Sequence, residues 1–101
     1  MSHEGIPQQI AALRRRFVER TAREREQIAL LLQDLCAGIP SDERLTELRC
    51  IAHGLAGAGG TFGFPAISDA AGRVEELCMA GRADDLAEAL EELMAELARI
   101  V

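Results

Sequence analysis

Aliphatic residues recur three and four positions apart along almost the whole of this 101-residue chain. That period places side chains on one face of an α-helix. Ile10, Leu13 and Phe17 form one such set and Ile28, Leu31 and Leu35 another, while residues 18–27 between them are largely charged. The interruption predicts two helices, at about 8–20 and 22–37, with Thr21 and Glu24 spaced as a capping box at the second start. Gly38 and Pro40 then supply a stop.

Ser41 is placed to cap the next helix, with Asp42 and Glu43 in its first turn, where acidic side chains favour the positive end of the dipole. That helix is expected to run to about Phe62, before Gly63 breaks it and Pro65 opens another in its first turn. Ile67, Ala70, Ala71, Val74, Leu77 and Cys78 make its apolar stripe, and Gly81 ends it. The last helix begins near Asp84 or Asp85, where Asp85 and Glu88 repeat the capping-box spacing, and buries Leu86, Leu90, Leu93, Met94, Leu97 and Ile100. Hydrophobic residues are 49% of the chain and aromatics 3%, a composition suited to packed helices rather than a sandwich or barrel. The expected fold is all-α: an antiparallel up-and-down four-helix bundle with a short additional N-terminal helix laid across one end. One domain should span residues 1–101, with 1–7 as a flexible tail.

A net charge of −6 argues against nucleic acid or an anionic membrane as partner, since either demands a basic face. Cys36, Cys50 and Cys78 are odd in number and show no CxxC spacing, so neither a disulfide framework nor a zinc site is indicated. Without a signal-like apolar stretch or a run long enough to span a bilayer, the expectation is a cytoplasmic protein with reduced thiols.

The strongest candidate for chemistry is His53. On a helix turning about 100° per residue, Leu45, Leu48, Ala52, Leu55, Gly59 and Phe62 share one arc of roughly 80°, and His53 stands about 140° from its centre. Thr46, Gly57 and Gly60 lie on the histidine's side. A solvated histidine is the plain alternative, but Gly54, Gly57, Gly59 and Gly60 crowd the same segment, each costing about 0.5–1 kcal/mol against Ala inside a helix. Glycines beyond an exposed imidazole leave it standing clear for another surface to reach. The competing explanations are a flexible loop over 54–63, or helix packing at Gly59.

His53, Leu55 and Gly57, followed by Thr61, Phe62 and Gly63, resemble the signature of histidine phosphotransfer domains from multistep phosphorelays, in which His, any residue, Leu, Lys, Gly is the usual pattern. The resemblance is detailed over about residues 48–77, and the helix order elsewhere agrees. It implies that His53 accepts a phosphoryl group from a receiver-domain aspartyl phosphate and passes it to another receiver. Response-regulator receiver domains and a hybrid histidine kinase would be the partners, and the chain a monomeric phosphocarrier rather than an enzyme. No cofactor is implied for the chain itself, the magnesium being expected on the receiver. The family's Lys is Ala56 here, which leaves open how phosphoryl charge is balanced. Arg49, one turn before His53 and about 40° from it around the helix, is a candidate for that role; a solvated Arg paired with Glu43 or Glu47 is the alternative. By the same resemblance Glu75, at the edge of its helix's apolar stripe, would hydrogen-bond the ring nitrogen that is not phosphorylated; a plain solvated Glu is the alternative. Thr46, Ala56, Gly57 and Gly60 would form the receiver docking face.

An imidazole suits phosphoryl exchange because its ordinary pKa of about 6.5 leaves a neutral, nucleophilic ring nitrogen at cellular pH. The main rival from another class is a degenerate four-helix adaptor that binds receivers without carrying phosphate. A hydrolase lacks a carboxylate cluster or second histidine with ligand spacing. His3-Glu4 with Pro7 only faintly matches a sensor-kinase phosphoacceptor box, and Arg14-Arg15-Arg16 fits a solvated helix face.

Overall fold

The computed structural model describes residues 5–38 and 41–100. Four helices account for nearly all of them: α1 (Gly5–Cys36), α2 (Asp42–Thr61), α3 (Pro65–Ala80) and α4 (Ala83–Arg99). Each packs on its two neighbours in a closed ring, α1 touching α2 and α4, and α3 touching α2 and α4. Short turns reverse the chain between them, so the described residues form the expected antiparallel bundle. Its centre is aliphatic, with Ile28, Leu55, Ile67, Leu86, Leu90 and Leu93 almost wholly buried.

The turns follow the local chemistry. Ser41 Oγ accepts the Arg44 N–H at 3.2 Å, satisfying one of the free donors at the start of α2. Gly63 and Gly81 have φ of +85° and +68°, the left-handed backbone that glycine adopts without a Cβ clash. Pro65 opens α3, where its missing N–H has no acceptor to lose. At α4 the expected capping box is not formed. Arg82 is the N-cap and makes no side-chain cap bond, while Asp84 and Asp85 lie in the first turn.

The N-terminal part departs from the expectation of a separate short helix. α1 is one continuous helix of 32 residues, about 48 Å long at 1.5 Å per residue. Thr21 does not cap a new start: it is 1% exposed, and its hydroxyl donates back to the Val18 carbonyl at 2.7 Å. Buried Phe17, Thr21, Ile28 and Leu31 carry the helical period straight through the charged stretch. Arg, Glu and Gln there are good helix formers, so nothing breaks the backbone. Part of the segment expected as a tail is helical as well. Gly5, Ile6 and Pro7 belong to α1, Pro7 being tolerated because the first turn needs no N–H acceptors. His3 lies outside the described residues.

Because α1 continues straight, its first turns run past the bundle instead of folding over it. Ile10 and Leu13, which share a helical period with Phe17, are 53% and 48% exposed. The bundle end is closed instead by Phe17, whose ring centroid lies 5.5 Å from that of Phe62 and 5.7 Å from that of Phe64. Arg14 sits over Phe64 with its guanidinium carbon 4.8 Å from the ring centroid, a cation–π contact rather than a wholly solvated side chain.

Candidate functional site

α2 buries Leu48, Ala52, Leu55 and Gly59, with Leu45 and Phe62 half-buried against the same core. His53 consequently faces outward, its side chain 78% exposed. The ring is nevertheless held: Nδ1 lies 2.6 Å from Oε2 of Glu75 on α3. With the carboxylate as acceptor, Nδ1 carries the proton of the neutral ring, and Nε2 presents its lone pair.

The close approach of α3 to α2 is a glycine effect. A Cβ on Gly59 would stand 3.1 Å from the Ser68 nitrogen and 3.2 Å from the Phe64 carbonyl oxygen, tighter than ordinary contact, so a bare Cα lets the turn into α3 pass there without displacing backbone. Phe64 N–H donates to the Gly59 carbonyl at 2.7 Å, and Ser68 Oγ donates to the Ala56 carbonyl at 2.6 Å. These bonds seat the first turn of α3 on α2, and two turns later Glu75 meets His53. Sequence reasoning missed Ser68; its signal is a small hydroxyl one turn into the helix opposite the glycine-rich segment.

The glycines serve different ends. Gly57 is exposed with open space where a Cβ would be, and Gly60 would meet only Ser68, its Oγ at 3.6 Å. With exposed Thr46 and half-buried Ala56, they leave the α2 surface around His53 low. Arg49, Cys50, His53, Glu75 and Met79 line an open groove, and Thr46, Arg49 and Cys78 line the adjoining hollow. Arg49 thus stands between the two, and among the described residues it makes no ion pair; Arg44 is the side chain that pairs with Glu47. Burial pushes the Cys78 thiol above its ordinary pKa of 9.0; the Arg49 charge acts against that shift and Glu75 adds to it. Among the described residues no group of three or more His, Cys, Asp or Glu is placed to hold a metal ion, and no helix is long and apolar enough to cross a membrane.

The Hpt domain profile matches residues 12–101. No curated protein and no solved structure matches the chain at a significant level. Hpt domains are histidine phosphotransfer modules of phosphorelays, and a helical bundle is their fold. The match starts inside α1 and takes in every later helix, the exposed histidine and the carboxylate that holds it, and the chain belongs to the Hpt domain family.

Proposed function

We propose that His53 is the phosphoacceptor, taking a phosphoryl group from a receiver-domain aspartyl phosphate and delivering it to the aspartate of a second receiver. The observation that carries this reading is the 2.6 Å contact between His53 Nδ1 and Glu75 Oε2 on a ring otherwise open to solvent. Glu75 holds the Nδ1 proton, so the Nε2 lone pair forms the new N–P bond while the aspartyl O–P bond breaks and its electron pair returns to the aspartate carboxylate. The Nδ1 proton stays in its hydrogen bond, stabilising the positive charge that the ring acquires. Delivery runs the same step in reverse on the second receiver.

Charge on the transferring oxygens is met by the receiver's magnesium and by cations of this chain, with Arg49 the candidate on the α3 side. The low surface around Gly57 and Gly60 suits a partner that must come close to the ring. A hybrid histidine kinase would feed the relay, in the cytoplasm. Incubation with a phosphorylated receiver tests the reading: one acid-labile phosphate should appear on the chain and be absent from His53→Gln. Binding of the receiver without phosphate uptake would instead identify a degenerate adaptor.

A further inference from the structure

A phosphoryl group on Nε2 brings close to two negative charges to a chain already at −6. Arg49 can serve one side of the ring. On the other side the glycine immediately after His53 does something neither Gly57 nor Gly59 does. A Cβ on Gly54 would stand 2.7 Å from Nη2 of Arg20 and 3.8 Å from its Cζ. The space is neither empty nor closed by backbone; the charged end of a side chain from α1 occupies it.

That guanidinium is aimed. Arg20 Nε donates to Glu24 Oε1 at 2.8 Å, one turn along α1, and the Glu24 side chain is only 15% exposed. Its other oxygen, Oε2, is buried and has no hydrogen-bond partner among the described residues, so among them this carboxylate takes its compensating charge from Arg20. Held by Nε, the guanidinium keeps its outer edge free: among the described residues neither Nη group has a hydrogen-bond acceptor. The free edge is the fork that grips two phosphate oxygens, and it lies over the residue next to His53.

We propose that Arg20 is a phosphoryl-binding residue of this site, seated beside His53 in the notch left by Gly54 and oriented by Glu24. The assignment rests on His53 being the acceptor. It also explains the glycine at position 54, since an alanine there would displace the guanidinium while leaving its charge on the chain.

The test uses the full chain phosphorylated by a receiver, with the phosphohistidine half-life, its phosphorus resonance and the transfer rate as readouts. Arg20→Ala and Arg20→Gln should shorten the half-life and slow transfer about fivefold, the scale of an exposed charge contact, and should move the phosphorus resonance. Gly54→Ala should give a smaller loss, and Gly54→Ala combined with Arg20→Ala no more than Arg20→Ala alone. Arg20→Lys should recover part of the half-life. A purely structural Arg20 would lower thermal stability and leave the resonance and half-life unmoved, which would overturn the proposal. Failure of the wild-type chain to gain phosphate, or uptake by His53→Gln, would overturn the acceptor reading beneath it, whereas a phosphorylated wild type matched by both Arg20 variants would overturn the Arg20 assignment alone.

Discussion

His53 and Glu75 are 22 positions apart in sequence and 2.6 Å apart in space, on neighbouring antiparallel helices. Because the carboxylate meets Nδ1, it decides which ring nitrogen is free. Glu75→Gln weakens the acceptor and removes the charge, so nitrogen-resolved NMR should show a loss of the preference for the Nδ1–H tautomer, and transfer should slow about five- to tenfold. A transfer rate and tautomer ratio equal to wild type would mean that the contact is incidental.

His53→Gln should remove phosphate uptake and leave thermal stability within about 0.5 kcal/mol, the ordinary effect of a surface substitution. Uptake is read as acid-labile phosphate and stability from a melting curve. An unfolded variant would contradict the ring's exposure.

Two glycines on the same helix should respond with opposite signs. Gly57→Ala adds a methyl group to open space and should stabilise by up to about 1 kcal/mol, through helix propensity and a less flexible unfolded chain. Gly59→Ala would drive a Cβ against backbone atoms of Ser68 and Phe64 and should destabilise by about 1–3 kcal/mol. It should also disturb the His53–Glu75 bond by pushing α3 outward. Gly57→Leu, by contrast, should leave the fold intact and block transfer sterically. Denaturant midpoints and transfer rates distinguish the three.

Arg49→Ala is expected to slow transfer about fivefold, most clearly at low salt where exposed charges act most strongly. Ala56→Lys in that background should restore much of the loss. Wild-type transfer by Arg49→Ala at low salt would leave compensation to other cations.

Cys78 supplies the pH-dependent prediction. Burial raises its thiol pKa above 9.0, so the folded chain holds this proton more tightly than the unfolded chain does. The resulting stabilisation is complete below the unfolded value and is lost as pH rises through the folded one. Denaturation midpoints should therefore fall in alkaline solution, and Cys78→Ala should flatten the fall. Cys36 and Cys50 are exposed, and a thiol reagent should modify both before Cys78.

The bundle was legible because its signals are local. Gly63, Pro65 and Gly81 end and begin helices through backbone geometry alone, and the stripes of α3 and α4 carry their own period. The break expected at Thr21 is absent because a capping-box spacing and a buried mid-helix threonine look alike until neighbouring helices exist to bury it. Ile10 and Leu13 show a related limit, since their spacing defines a face without saying whether anything covers it. At the site, the helical angle of His53 was readable from α2 alone, and Glu75 entered through a family resemblance. The seat of Arg20 on Gly54 was not readable, because the register between α1 and α2 comes from packing and no sequence period encodes it.

The three phenylalanines, the only aromatic residues in a chain without Trp or Tyr, all meet where α1 passes the α2–α3 turn. Near-ultraviolet dichroism therefore reports tertiary order at that end of the molecule alone. Loosening around Gly38 and Gly81, at the opposite end, would be silent in that aromatic signal, although amide exchange would register it. If the two ends separate on mild denaturation, the aromatic signal and the exchange rates should give different midpoints, and only a bundle that melts as one unit will make them agree.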